Sequence, residues 1–537
     1  MGFFMILSLL SMPPMPGIDN KLAYSHLMAK KEIRINTPED KGKALLDSIR
    51  SIVLLVDFND NHSVYSQSNF EDLLFSEGWG SMRNYYKEVS YERFEIVGHC
   101  RGWYRMPLLY TEYVRGNYGF NGDEPNVFTL VRDAVEAADP SVDFSNYDLD
   151  GDGMVDALFV IHSGPGAEAT GDTNDIWSHK SSFSSNGLSP VQTDDNVYID
   201  VYSMEPERFP DNSFVTIGVF CHEFCHVLGA PDIYDIDRGS SVIGKFGLMD
   251  AGSWNGNPAG SSPSHPCIWV KYLLGWVDPL GLEKGACDSI YQAKIPAIEE
   301  TPIAYRMLKN PEGNDWEWGT GGIGEYFLIE NRERMGYDSA LPGNGLLILH
   351  CNENELDNTD RDNRLVCVMQ ADSDDATSTT GEASDLWKNR VIGFDEISIP
   401  SSILWDGTPS GVSVSNISPA GELVRADLKI GLVMLDEVYS YPNPFVKGES
   451  GEYLTIRYVP SDIEKAYGKH PNFTVSIYSI TGNLVRRLTR PGEIYPEARF
   501  ALWDGIDDEG NPVPSGIYFY IIEIENERNK GKLTFVR

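Results

Sequence analysis

Cysteine is scarce: 7 residues in a chain of 537, an odd number that leaves at least one thiol unpaired within a monomer. A disulfide framework is therefore excluded as the basis of the fold. Positive charge is short as well. Only 43 Lys and Arg stand against 80 Asp and Glu, and the net charge of -37 repels polyphosphates and anionic membranes, so nucleic acid is not an expected partner. Beyond the N-terminus no stretch is long and apolar enough to span a bilayer. The apolar run Phe3-Phe4-Met5-Ile6-Leu7-Ser8-Leu9-Leu10, closed by Ser11, has the length of a signal-peptide core but lacks a basic segment ahead of it. It reads as a signal peptide with a displaced start.

Core material is plentiful. Hydrophobic residues make up 41% of the chain, with 27 Tyr, 23 Phe and 11 Trp, and the length calls for several folded units rather than one core. The surplus carboxylates read mostly as a solvated acidic surface that also suits hard cations. Four segments are expected: a signal-like N-terminal stretch over 1–46, a mixed α/β domain over 47–290, a β-rich subdomain over 291–435 and a β-sandwich over 436–537. Ser51–Phe58 is a continuous apolar run of the kind found in a strand buried on both faces, Met82–Val89 and Val127–Ala138 have helical spacing, and strands and helices alternate. After about residue 290 short strands dominate, such as Glu325–Glu330 and Gly345–His350, punctuated by Gly, Pro and Asn.

The segment Ser213–Leu228 is apolar nearly all round and stops at Gly229 and Pro231, which predicts a buried helix. Within it His222 and His226 stand at i and i+4, on one face, close enough for both imidazoles to reach a single zinc ion. Glu223 lies beside them, where a carboxylate takes a proton from zinc-bound water and passes it to a leaving amine. Zinc needs a third protein ligand, and Gly229 can reverse the chain so that Asp232 returns toward the metal. Hiding three ionisable groups in adjacent turns costs several kcal/mol, of the order known for unpaired buried charges, unless each is paired or metal-bound. Cys221 and Cys225 are also spaced i, i+4; they pack as small apolar residues, or one bonds to Cys267.

A second metal is expected in Asp148-Leu149-Asp150-Gly151-Asp152-Gly153-Met154-Val155-Asp156. Asp148, Asp150, Asp152 and Asp156 fall at positions 1, 3, 5 and 9 of a calcium loop, Gly153 provides the turn and Met154 offers a backbone carbonyl. Position 12 is Phe159 instead of the bidentate Glu of an EF-hand, and a strand follows instead of a helix. The alternative is a solvated acidic turn. Asp360, Asp362 and Asp372 offer a weaker second calcium cluster. Glu168, His179, Asp338 and His350 could support the cleft or serve the core, and a nearby Tyr, such as Tyr234, could steady an oxyanion.

The pattern H-E-x-x-H-x-x-G-x-x-D, followed by Gly247-Leu248-Met249-Asp250-Ala251-Gly252-Ser253-Trp254, resembles the metzincin-like immune inhibitor A family of bacterial metallopeptidases. Tyr85–Tyr91, Gly102-Trp103-Tyr104, His162–Glu168, Ile176–Lys180 and Pro231–Asp235 resemble the same family, so that the likeness extends over roughly residues 50–390. It implies a zincin-like catalytic domain, a secreted zinc endopeptidase with structural calcium, and Met249 as the Met-turn residue beneath the zinc. Tyr441–Phe445, Val475–Tyr478, Trp503-Asp504-Gly505 and Gly510–Tyr518 resemble the Ig-like C-terminal modules of exported bacterial proteins, which implies secretion or surface attachment through export machinery.

The expected function is hydrolysis of peptide bonds in protein or peptide substrates. A calcium-stabilised surface or adhesion protein on an inactive peptidase scaffold is the alternative, and it would have no need of bound zinc.

Overall fold

The structure is a computed structural model, and it describes residues 10–11, 13, 48–282, 288–372, 379–391, 393–396, 398–430, 438–448, 452–458, 473–496, 499–524 and 527–537. Most of the N-terminal segment, including all of the signal-like run before Leu10, and the junction expected near 435 lie outside them. The chain divides into two compact units: 1–283 with 290–401 and 414–428, and 284–289 with 402–413 and 429–537.

The first unit is built on a six-stranded sheet. Four strands run parallel in the order Glu95–Arg105, Ser48–Asp57, Leu158–Pro165, Val201–Arg208. His179–Ser182 then joins antiparallel, and Leu10–Ser11 pairs antiparallel on its outer side. Ser48–Asp57 lies inside the sheet, and Ile52 through Val56 are fully buried, which is why that run shows no polar alternation. On one face Leu158, Val160, Tyr202 and Met204 pack with Val127, Phe128, Leu130, Val131 and Ala134 of the helix Val127–Ala138. That helix starts where Asn126 accepts the Phe128 and Thr129 amides, satisfying two donors the helix cannot pair itself. Alternation sends Phe159 to the opposite face, where it stacks on Phe224 of the helix Ile217–Val227. The helix Met82–Val89 lies where the sequence placed it.

The β-rich region lies largely in the same compact unit. Its five-stranded sheet runs Val366–Val368, Gly345–Asn352, Glu325–Arg332, Tyr305–Met307, Leu280–Leu282. Leu280–Leu282 pairs parallel with Tyr305–Met307 across the division expected at 290/291, and both segments fall in the first compact unit. Composition changes there while packing does not. In the second unit, a four-stranded sheet including Leu454–Tyr458 and Phe500–Trp503 shares one apolar core with a five-stranded sheet including Thr474–Ser479, Gly516–Ile524 and Glu527–Val536. Trp503, Ile456, Ile522 and Leu533 are completely buried between them. Among the described residues no helix is long and apolar enough to cross a membrane.

Candidate metal centre

The helix Ile217–Val227 is buried from Ile217 to His226, and its apolar and polar faces have separate tasks. Phe224 turns toward the sheet, packing on Phe159, Phe94 and Tyr86. Gly218 lets the first turn press against the Ser253 carbonyl, which would stand 2.2 Å from an added Cβ. His222, Glu223 and His226 are buried on the helix as well, with exposures of 0%, 0% and 2%.

Main-chain carbonyls fix both imidazoles. His222 Nδ1 is 3.0 Å from the Leu248 carbonyl, and His226 Nδ1 is 2.8 Å from that of Ala230. A carbonyl only accepts, so each Nδ1 carries a proton and each Nε2 is the ring nitrogen left to face a ligand. The two rings stand nearly perpendicular, with centroids 4.8 Å apart. The helix ends at Val227, capped by Leu228; Gly229 takes φ +107°, and the chain turns back to bring Asp232 Oδ1 to 3.2 Å from His222 Nε2 and 3.3 Å from His226 Nε2. These three atoms are buried and none has a hydrogen-bond partner. Burial pulls the His226 imidazole below its ordinary range, with Asp232 opposing. Burial pushes the Asp232 carboxyl up, but the imidazoles, His226 foremost, outweigh it and hold the acid below the usual carboxylate range.

Two imidazoles and a carboxylate, their atoms gathered within 4.8 Å of one another, are a donor set suited to zinc. Met249 is buried in a loop, and its carbonyl accepts the Ile233 amide at 2.9 Å. The next residue, Asp250, stiffens that loop by accepting the amides of Val242, Ile243 and Gly244 on one oxygen. Tyr234 is 2% exposed.

The calcium-type loop folds around Asp148, whose Oδ1 accepts the amides of Gly151 and Asp152 and whose Oδ2 accepts that of Gly153. Gly151 and Gly153 both take positive φ. Asp148, Asp150 and Asp152 each offer an oxygen within 4.8 Å of the others. Asp156 belongs to the loop differently, with its Oδ2 accepting the Leu149 amide, and the Met154 amide is taken by Asp152 Oδ1.

Other candidate groups have other roles. Asp360, Asp362 and Asp372 form no metal-holding group among the described residues; Asp360 instead accepts the Asp362 amide in an exposed turn. Cys221, Cys225 and Cys267 are all free and buried, as are Cys100, Cys351 and Cys367, so no bond joins Cys267 to the helix; Cys287 lies outside the described residues. His179 serves the core, between the Trp177 carbonyl and the Tyr202 hydroxyl, and Glu168 accepts the Ser178 amide and hydroxyl. Asp338 pairs with the buried Arg332 at 2.6 Å, and His350 meets Glu325 at 2.9 Å.

Two kinds of participant carried no separate signal in the sequence. Lys180, on the strand His179–Ser182, has its pKa lowered by burial, with Asp200 and Glu223 opposing. The backbone carbonyls of Leu248 and Ala230, which set the imidazole tautomers, are invisible in any pattern of side chains.

Residues 47–275 match the model of the immune inhibitor A peptidase M6 catalytic domain. Residues 451–537 match that of a type IX secretion signal domain, which identifies a secreted or cell-surface protein. Among curated proteins, the pre-pro-metalloprotease PrtV of Vibrio cholerae is 28% identical over 286 residues, covering 44% of this chain and 30% of that protein. Immune inhibitor A of Bacillus thuringiensis is 31% identical over 245 residues, covering 39% and 34%. The chain thus spans about a third of the length of these relatives. Among solved structures, PorZ, a surface component of the Porphyromonas gingivalis type IX secretion system, matches with a TM-score of 0.15 at 14% identity, covering 41% of this chain and 22% of its own. Dimeric latent PorU from the same organism gives 0.18 at 16% identity, covering 40% and 18%.

Proposed function

We propose that this chain, whose residues 47–275 carry an immune inhibitor A type peptidase M6 catalytic domain, is a secreted zinc endopeptidase. The observation that carries the reading is the convergence of His222 Nε2, His226 Nε2 and Asp232 Oδ1 beside the buried Glu223. The catalytic domain is zincin-like and occupies 47–290, the β-rich segment 291–435 supports it, and an Ig-like module over 436–537 engages export machinery. Calcium held by the Asp148–Asp156 loop, with Asp148, Asp150, Asp152, Asp156 and the Met154 carbonyl as ligands, stiffens the approach to the strand Leu158–Pro165.

His222, His226 and Asp232 hold the zinc. When bound, the ion acidifies a coordinated water and polarises the scissile carbonyl. Glu223 receives the proton of the attacking water on its carboxylate and delivers it to the departing amine, so one group serves as base and then acid. Burial of the helix keeps bulk water from competing for that proton. An extended substrate takes the place of Leu10–Ser11, which pairs antiparallel with His179–Ser182, with Trp254 Nε1 donating to the Pro13 carbonyl just beyond. Main-chain pairing of this kind recognises peptides with little regard to side chain.

The test is purified full chain assayed on casein, with zinc counted by mass spectrometry. Near one zinc per chain is expected, with activity lost to a chelator and restored by zinc, and Glu223→Ala inert yet still zinc-loaded. An intact protein that holds no zinc, or a Glu223→Ala variant as active as the parent, would overturn the reading.

A further inference from the structure

The third ligand sits on the least regular part of the site. His222 and His226 are held by a helix, whereas Gly229–Tyr234 belongs to neither helix nor strand. Asp232 therefore needs its position imposed from outside, because a ligand displaced by a fraction of an ångström loses much of its bond to the ion.

The hold comes from a segment more than a hundred residues downstream. Asn358 is fully buried, and its carboxamide is spent on main chain: Oδ1 accepts the Val366 amide at 3.0 Å, and Nδ2 donates to the Val366 carbonyl at 2.9 Å and to the carbonyl of Ile233. Val366 opens a strand of the five-stranded sheet, so Asn358 ties the residue next to Asp232 to a rigid ladder. Ile233 is gripped from the other side by the hydrogen bond that its amide donates to the Met249 carbonyl. Two residues on, the buried Asp235 carboxylate meets Arg364 Nη1 at 3.4 Å and Arg238 Nη1 at 2.8 Å, and Arg364 also donates to the Asn358 carbonyl. Asp232 is bracketed, with Asn358 acting on one neighbour and Arg364 on the chain beyond.

We propose that Asn358 and Arg364 are positioning residues for the metal centre, acting through Ile233 and Asp235 to hold Asp232 on the zinc, so that the β-rich segment completes the site. The proposal rests on the reading of His222, His226 and Asp232 as zinc ligands. Neither residue touches substrate or metal. Their contribution is to spare the ion the cost of ordering the loop.

The experiment uses the full chain with Asn358→Ala, Asn358→Ser, Arg364→Met and Arg364→Lys, and Asp232→Ala as reference. Zinc affinity is measured by competition with a chromophoric chelator, the visible spectrum of the cobalt-substituted protein reports coordination geometry, and the unfolding temperature is taken metal-free. Asn358→Ala and Arg364→Met should bind zinc about 10- to 100-fold more weakly, the range for partners that orient metal ligands, with an altered cobalt spectrum. Their metal-free unfolding should stay cooperative, and Arg364→Lys, which keeps the charge opposite Asp235, should recover part of the loss. Folded variants that bind zinc as tightly as the parent with an unchanged cobalt spectrum overturn the proposal. Collapse of all four variants without metal also overturns it, by assigning the pair to the fold alone. Failure of Asp232→Ala to weaken zinc binding would instead remove the ligand assignment on which the proposal stands.

Discussion

The Tyr86 hydroxyl donates to the main-chain carbonyl of Cys221 at 2.5 Å, one residue ahead of the first histidine of the site. Tyr86 is fully buried on the helix Met82–Val89, and its ring also packs against Phe224, so one side chain fixes both the height and the roll of the histidine helix. Tyr86→Phe keeps the packing and removes the donor. A loss of about 1 kcal/mol is expected, typical of one net hydrogen bond, read as a lower denaturation midpoint with zinc content unchanged.

Gly229→Ala tests the turn that returns the chain to the metal. An added Cβ would meet nothing within 4 Å, so crowding plays no part and the cost is the backbone at φ +107°. About 1–3 kcal/mol of strain is expected at such a position. The loop relieves it by moving Asp232, so zinc affinity measured by chelator competition should fall along with stability.

Acid should destabilise the first unit through histidines outside the metal centre. Burial pulls the imidazoles of His162 and His179 down to about 4 each. The unfolded chain takes up these protons near 6.5 and the folded one only near 4, so stability is full above 6.5 and falls as pH drops through that window. Each group contributes up to about 3 kcal/mol by the linkage of pKa to free energy. His162→Asn, whose amide replaces the Nδ1 donor to Ser163, should lose one proton's worth of slope in a plot of metal-free denaturation midpoint against pH.

Calcium should raise the unfolding temperature of the chain. A ligand at a hundred times its dissociation constant adds about 2.7 kcal/mol. Asp148→Ala removes the carboxylate around which the loop folds, and Asp150→Asn removes one charge with little change of shape. Both should abolish the calcium-dependent shift in a thermal melt, while zinc stoichiometry stays at the parent's value.

The spacing of His222, Glu223, His226, Gly229 and Asp232 was legible because it lies within one helix and one turn, where periodicity and a positive φ translate directly into geometry. The helices Met82–Val89 and Val127–Ala138 and the strand Ser48–Asp57 were legible for the same reason: each buries a face whose pattern is local. The Asp360, Asp362 and Asp372 cluster forms no metal group among the described residues because acidic residues close in sequence need not converge in space, and of the two readings of Cys221 and Cys225 the packed, unbonded one holds because a shared interior does not bring two sulfurs into bonding geometry.

By itself the sequence determined which residues could hold a metal, since ligand type and local spacing are written in it. Only the tertiary structure decided how they are held. The Leu248 carbonyl that orients His222, the Asn358 amide at Ile233, the Arg364 guanidinium at Asp235 and the strand pairing across residue 290 join segments far apart in the chain. Such contacts are fixed by the packing of whole elements and the need of buried polar groups for partners, which no local pattern records.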